Sequence, residues 1–281
     1  MIRAFALLAF LARAQDPAAV ADTTPAPDAP VAVAAPAPQR VHLQTRNREA
    51  EKVLNAALTD AAYWNGASKS TYNDKSWDEV RLKQLSTGYL AMISGEGGQD
   101  FDHDVVVDVV YSQQTRIPQH TDGAKAVVQL GTGTDPVNGM PYVDTFFYLD
   151  FEAFYGVYSQ RMYRETENGR TVLWYEKLDE HFVDPATWAQ YQQKIVAAKD
   201  GVDRRWVLGS VVEVGDIFGM FVVEPGHTKK SRVTFITKIV FGSDAGWIAK
   251  TGSQLPVVIK AGLKSGFRSC VELAQEEQRR H

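Results

Sequence analysis

The chain has 281 residues, 44% of them hydrophobic, and a formal charge of −4 at neutral pH. That acidic balance argues against nucleic acid as a partner and against simple electrostatic docking on anionic lipid, both of which need a basic surface. A single cysteine, Cys270, excludes an intrachain disulfide, so the core alone must hold the fold.

Residues 1–14 read as a secretory signal. Arg3 supplies a basic start, residues 4–12 an apolar run, and Ala12-Arg13-Ala14 a small-x-small cleavage site before Gln15. The competing reading is a buried N-terminal helix, but nothing after this stretch continues one. Loss of Arg3 and Arg13 with the signal takes the formal charge from −4 to −6. No Cys follows the apolar run, so no lipid-modified N-terminus is expected, and the expected address is the periplasm or the extracellular space. The later apolar stretch near the C-terminus is interrupted by Lys250, Lys260 and Lys264 and does not read as a membrane span.

Residues 15–41 are rich in Ala and Pro, with Pro17, Pro25, Pro27, Pro30, Pro36 and Pro38, and carry no periodicity. They are expected to form a disordered, extended tether. The rest, 42–281, reads as one domain.

In that domain, residues 47–64 form the clearest helix, with Ala50, Val53, Leu54, Ala57, Leu58 and Ala61 at helical spacing and Asn65-Gly66 as the stop. Residues 80–94 read as one strand and 105–111 as a second, with Val105, Val107 and Val109 on one face. Residues 127–130 make a short strand and 131–141 a loop. Aromatic-rich strands follow at 142–151 and 155–165, and Asn168-Gly169 turns the chain into a strand over 171–178. Asp184-Pro185 opens a helix to about residue 199. Strands are then expected at 205–214, 215–224 and 231–241, where Val233, Phe235, Ile239 and Phe241 alternate with polar residues. Gly246-Trp247-Ile248 begins a helical pattern that runs nearly to the end. The order gives an α+β fold with one curved, mostly antiparallel sheet and a long C-terminal helix.

Three segments of the C-terminal portion resemble the START-like, helix-grip lipid-binding superfamily (SRPBCC): residues 219–225 with their apolar-Glu-Pro ending, 231–235 as the next strand, and 246–250 as the turn into the last helix. Tyr158-Ser159-Gln160-Arg161 resembles a fourth family segment, with Gln160 and Met162 departing from its pattern. The resemblance covers about residues 102–273. It implies a sheet gripping the last helix around an apolar cavity, which for a small-molecule site is expected to reach about 300 Å³ or more. The helix at 184–199 departs from the family order.

The residues themselves name a candidate site. Phe147, Trp174, Phe221, Phe235, Leu255 and Ile259 are the expected apolar walls, and Arg161, Thr237 and Tyr175 the polar groups among them. Gly262 and Gly266, one turn apart on the apolar side of the last helix, allow either a close approach of helix to sheet or room for a ligand. Motifs of catalysis fail in turn. The glycine clusters lack the residues of a phosphate cradle, no Gly-x-Ser-x-Gly or Ser-x-x-Lys occurs, and the histidines are scattered. The acidic run Asp100, Asp102, Asp104 and Asp108 with His103 reads as a solvated strand start, with a metal site as the rival. Cys270 reads as a buried, inert thiol. The expectation is an exported protein that binds a hydrophobic small molecule, lipid or sterol-like, by sequestration or transfer, with transient membrane contact, no metal and no cofactor. The alternatives are a cavity enzyme of the polyketide-cyclase type, which needs a titratable pair inside the cavity, and an interaction module on a tether, which needs an exposed apolar patch.

Overall fold

The computed structural model describes residues 39–71, 79–95, 100–151, 154–203, 211–227, 229–242 and 255–280. The expected signal, tether residues 15–38, the strand start at 205–210 and the helix-opening turn at 246–250 lie outside them. Nine strands form one open sheet in the order β1-β2-β3-β9-β8-β7-β6-β5-β4. In chain order they are β1 (Ser68–Thr71), β2 (Glu79–Gln84), β3 (Tyr89–Gly95), β4 (Ala124–Thr134), β5 (Pro141–Asp150), β6 (Tyr155–Glu167), β7 (Arg170–Lys177), β8 (Val211–Pro225) and β9 (Ser231–Phe241). Neighbours in this order pair antiparallel. Beyond the end of β7, β6 and β8 also meet directly and run parallel, Tyr155 opposite Val211 and Val157 opposite Glu213.

Both faces of the sheet are covered. On the convex face lies α1 (Arg48–Thr59), whose N-cap Asn47 accepts from the amides of Glu49 and Ala50. Its apolar stripe of Ala50, Val53, Leu54 and Ala57 packs with Trp174, Phe218, Met220, Val222 and Ile236. Next to it, α3 (Pro185–Asp200) is capped by Asp184, begins with Pro185, and buries Tyr191 and Ile195 with Leu130, Phe146 and Tyr148. The concave face is covered by α2 (His103–Tyr111) and by α4 (Leu255–Gln278). The domain is tied in from Gln39, since Arg170 donates to the carbonyls of Gln39 and Arg40, and Val41 exchanges hydrogen bonds with the buried Asn55 amide.

Four expectations are corrected. Residues 105–111 belong to helix α2, because Val106, Val107, Val109 and Val110 bury together as a helical face on the concave side, with Phe101, Leu273 and Ala274. Residues 80–94 are two strands. Leu85 donates to the carbonyl of Gly88, whose φ of 79° closes the turn, and Gly88 lies so near the Ile239 carbonyl that a side chain there would strike β9. Residues 211–214 and 215–224 are one strand, kinked by a register shift between Val214 and Asp216 rather than broken. Finally, β4 continues to Thr134, through much of the expected loop at 131–141.

Candidate functional site

The period of a strand puts successive side chains on opposite faces. On β8 and β9, Phe221, Phe235 and Thr237 point to the concave side, while Phe218, Met220 and Ile236 point to the convex one. Phe221 and Phe235 stack with ring centroids 4.2 Å apart, and Tyr175 lies tilted 6.5 Å from each. The Tyr175 hydroxyl donates to Thr237 Oγ1 at 2.8 Å, and Thr237 Oγ1 donates to the Phe218 carbonyl at 3.4 Å. Gly219 makes this possible, because a Cβ there would sit 2.5 Å from the Tyr175 hydroxyl. Further along the same face, Phe147 stacks on Tyr158 at 5.0 Å and packs with Ile117. Ile259 of α4 meets Phe154 and Val212 at the other end.

An apolar cavity of about 30 Å³ remains between α2, α4 and the sheet, lined among others by Val106, Val110, Phe221, Val233, Cys270 and Val271. This corrects the expected volume, which was about ten times larger. The valines of α2 and the large side chains Phe267 and Val271 of α4 descend into the space and fill most of it. The packing is nevertheless incomplete. Cys270 lines the gap, and burial pushes its thiol up to about 12. Tyr158 lies outside that lining, stacked on Phe147, and burial holds its hydroxyl well above the ordinary tyrosine value.

Attachment of α4 is uneven. Its C-terminal half is held by polar bonds. Arg116 pairs with Glu276 and Glu277, Gln278 accepts from the Asp102 amide at 3.0 Å, and Ser269 donates toward the His120 carbonyl. In its N-terminal half Ile259 and Leu263 make apolar contacts, and Gly262 lies against Phe151. Between the halves, Ser265 and Thr121 share a hydrogen bond at 2.7 Å.

Thus Phe147, Phe221, Phe235, Thr237 and Ile259 are brought to one face. Leu255 opens α4, and its side chain is not among those described. Trp174 and Arg161 are placed elsewhere. Trp174 faces α1 and stacks on Tyr163 at 4.1 Å. Arg161 is also on the convex side, where Nε and Nη2 each donate to Asp144 at 2.8 Å and Nη1 donates to Asp135 at 3.2 Å. Asp135 also accepts from the Tyr163 hydroxyl at 2.6 Å and from Arg46, and Asp144 from the Tyr191 hydroxyl at 3.0 Å. Burial pushes the Asp144 carboxyl up while Arg161 and Tyr191 pull it back; Asp135 is held below the usual carboxylate range by Tyr163, the Val137 amide and the arginines, against its own burial. This cluster ties the N-terminal segment, α3, the β4–β5 connection and strands β5 and β6 to one point. The sequence shows Asp135 as half of a turn dipeptide and Asp144 as a strand position, and no local pattern says that the two meet.

The acidic run is engaged with Lys230. Asp100 accepts from the Lys230 amide, and Asp102 pairs with its ammonium at 2.7 Å. Among the described residues, no three His, Cys, Asp or Glu side chains gather in a way that could hold a metal ion. No described helix is long and apolar enough to cross a membrane.

No family model matches the chain, and no curated protein matches it by sequence. By structure it is similar to human STARD10, with a TM-score of 0.51 and 11% identity over 87% of each chain. It is also similar to a STAR-related lipid transfer protein fragment from Xanthomonas axonopodis (TM-score 0.44, 14% identity, 72% of this chain and 99% of that one). A third is the Zhui aromatase/cyclase from Streptomyces sp. R1128 (TM-score 0.41, 13% identity, 72% and 96%). At these identities the likeness is one of fold, and it rests on the first of them. The fold is START-like: an open, antiparallel helix-grip sheet with the terminal helix across its concave face.

Proposed function

We propose that this chain is an exported binding protein for a hydrophobic small molecule, lipid or sterol-like, which it sequesters or transfers between the concave face and α4. The observation that carries the reading is the incompletely filled apolar gap between α2, α4 and the sheet, where Cys270 and Val271 face Phe221 and Val233. A gap of about 30 Å³ does not hold such a molecule. Binding therefore requires α4 to move away from the sheet. That movement exposes Ile259, Leu263 and Phe267 at about 1.5–3 kcal/mol each, and an alkyl chain of about a dozen methylenes returns about 10 kcal/mol on burial. The exchange is favourable only when the ligand covers what the helix leaves.

Among the described residues, the buried carboxylates Asp135, Asp144 and Glu176 face away from α4, which does not favour the catalytic alternative. An interaction module finds little either. The exposed large apolar side chains among the described residues, Val137, Val196 and Val257, are on separate elements and form no patch.

Export rests on the basic start, apolar run and cleavage site of residues 1–14, and an N-terminus at Gln15 in the purified protein would test it. Organic extraction of the full chain after purification, followed by mass spectrometry, tests the binding. An apolar compound enriched over a mock purification is expected. Absence of any such compound, together with no saturable binding of the uncharged dye Nile red, would sink the reading.

A further inference from the structure

The concave face carries a second, polar set of side chains beside the apolar gap. Thr145 of β5 and Gln160 of β6 stand directly opposite each other. Both point inward, since their chain neighbours Asp144 and Arg161 point to the convex cluster. Met162 follows Gln160 on the same face. Above it lies Gln114, in the 3-10 helix Gln114–Gln119 after α2, which donates Nε2 to the Val110 carbonyl at 2.9 Å and to Met162 Sδ at 3.2 Å. Thr145 is 1% exposed, Gln114 3% and Gln160 3%. Within the fold, Gln114 Oε1 and Thr145 Oγ1 have no hydrogen-bond partner. Two buried, unpaired polar atoms from different elements, beside a buried amide, are costly to leave so, and they are complementary to something that is not the chain itself.

We infer that these three residues read the polar end of the ligand, and that the ligand class is uncharged: a hydroxyl, ketone or amide on an apolar body. This rests on the binding reading above and names the class of molecule at that same site. Gln114 Oε1 accepts, Thr145 Oγ1 donates or accepts, and the Gln160 amide does both, so a hydroxyl satisfies all three. A carboxylate or phosphate would face the Gln114 oxygen, and neither Lys177 nor Arg161, the cations nearest it by register, is turned to meet it. The nearest ammonium by register, Lys177 opposite Gln160, is turned to the Gly215 carbonyl at 2.8 Å and to exposed Glu213. Arg161 is consumed on the other face. From the polar end, the apolar body runs along Tyr175, Phe221 and Phe235 toward the gap at Cys270.

The test uses the full chain, Nile red as reporter, and three competitors with the same alkyl body: decane, 1-decanol and decanoate at pH 8. 1-Decanol is expected to compete about tenfold better than either of the others. Thr145→Val combined with Gln160→Leu should abolish that preference. Where the double variant does not fold, the wild-type ratios and Thr145→Val alone decide. Equal competition by all three, which is the result if water alone satisfies these atoms, overturns the assignment while leaving a hydrophobic site in place. So does stronger competition by decanoate. Failure of Nile red and every competitor to bind overturns the underlying reading, and this one with it.

Discussion

Gly262 of α4 lies against the ring of Phe151, so close that a Cβ there would stand 2.9 Å from Phe151 Cε1. The other edge of the same ring meets Gly156 of β6, where a Cβ would stand 2.6 Å from Cε2. Phe151 is thus held between a helix and a strand that both lack side chains at the contact, and this fixes how near α4 comes to the end of the β5–β6 hairpin. Of the two readings of Gly262, close approach is the one the geometry shows. Gly266, one turn on, has nothing within 4 Å of its would-be Cβ.

That contrast gives the first prediction. Alanine gains about 1 kcal/mol over glycine in a helix interior, while overpacking costs about 1–3 kcal/mol. Gly266→Ala is expected to raise the urea midpoint, and Gly262→Ala to lower it or leave it unchanged. If both raised it equally, the Phe151 contact would not be a constraint on the helix.

A second prediction concerns the convex cluster. Arg161 holds two fully buried carboxylates, Asp135 and Asp144. Arg161→Met leaves them without their main counter-charge, and removal of one partner from a buried ion pair costs about 3–5 kcal/mol. The denaturant midpoint should fall accordingly. Because the cluster faces away from α4, Nile red affinity of the folded fraction should stay within about twofold of wild type, an amount well under 1 kcal/mol. A selective loss of dye binding with stability intact would return Arg161 to the ligand site.

Much of the scaffold could be read from the residues, and the reason lies in local chemistry. Asn47, Asp184-Pro185 and Asn168-Gly169 each act within a few positions. The first two cap helices, and the third supplies the two left-handed residues of a hairpin, with φ of 52° and 77°. The valines at 105–110 were not decidable this way. Val105, Val107 and Val109 alternate as in a strand, while Val106, Val109 and Val110 also fit a helix, and contact with α4 decides between them. The face of each strand residue was illegible for a different reason. Alternation shows that Trp174 and Tyr175 oppose each other, but with both faces of the sheet covered it cannot say which one meets the last helix. The gap was legible only as a possibility of the fold, because its volume depends on how Phe267 and Val271 pack, which no periodicity encodes.

The third prediction is a pH dependence. Glu176 of β7 lies at the N-terminus of α1, accepting from Thr45 Oγ1 at 2.8 Å and from the Arg46 amide. Burial is the largest influence and holds its carboxyl above the ordinary value, against the pull of those donors and of Arg46. The folded chain then binds this proton more tightly than the unfolded chain does. The group's contribution favours the fold most at acid pH, and it is lost as pH rises from the usual glutamate value through the raised one. Glu176→Gln fixes an uncharged side chain there. Its denaturant midpoint relative to wild type should therefore rise between pH 4 and pH 7. A difference that is flat, or that falls, over that range would mean the donors at the α1 terminus outweigh burial.

The last prediction uses Cys270 as a reporter of α4. Burial raises its thiol from 9.0 to about 12. At pH 8 the reactive thiolate is then far scarcer than for an ordinary exposed thiol, so alkylation by iodoacetamide should be much slower than in urea. The rate that remains arises from excursions in which α4 lifts and water reaches the gap. A ligand seated between α4 and the sheet removes the thiol from water whether the helix is open or closed, so saturating 1-decanol should slow native alkylation further. Alkylation at the rate of the unfolded chain would show that Cys270 faces solvent. A native rate unmoved by an alcohol that displaces Nile red would place that alcohol somewhere other than the interface of α4 with Phe221 and Val233, since any molecule filling that interface must cover the sulfur between them.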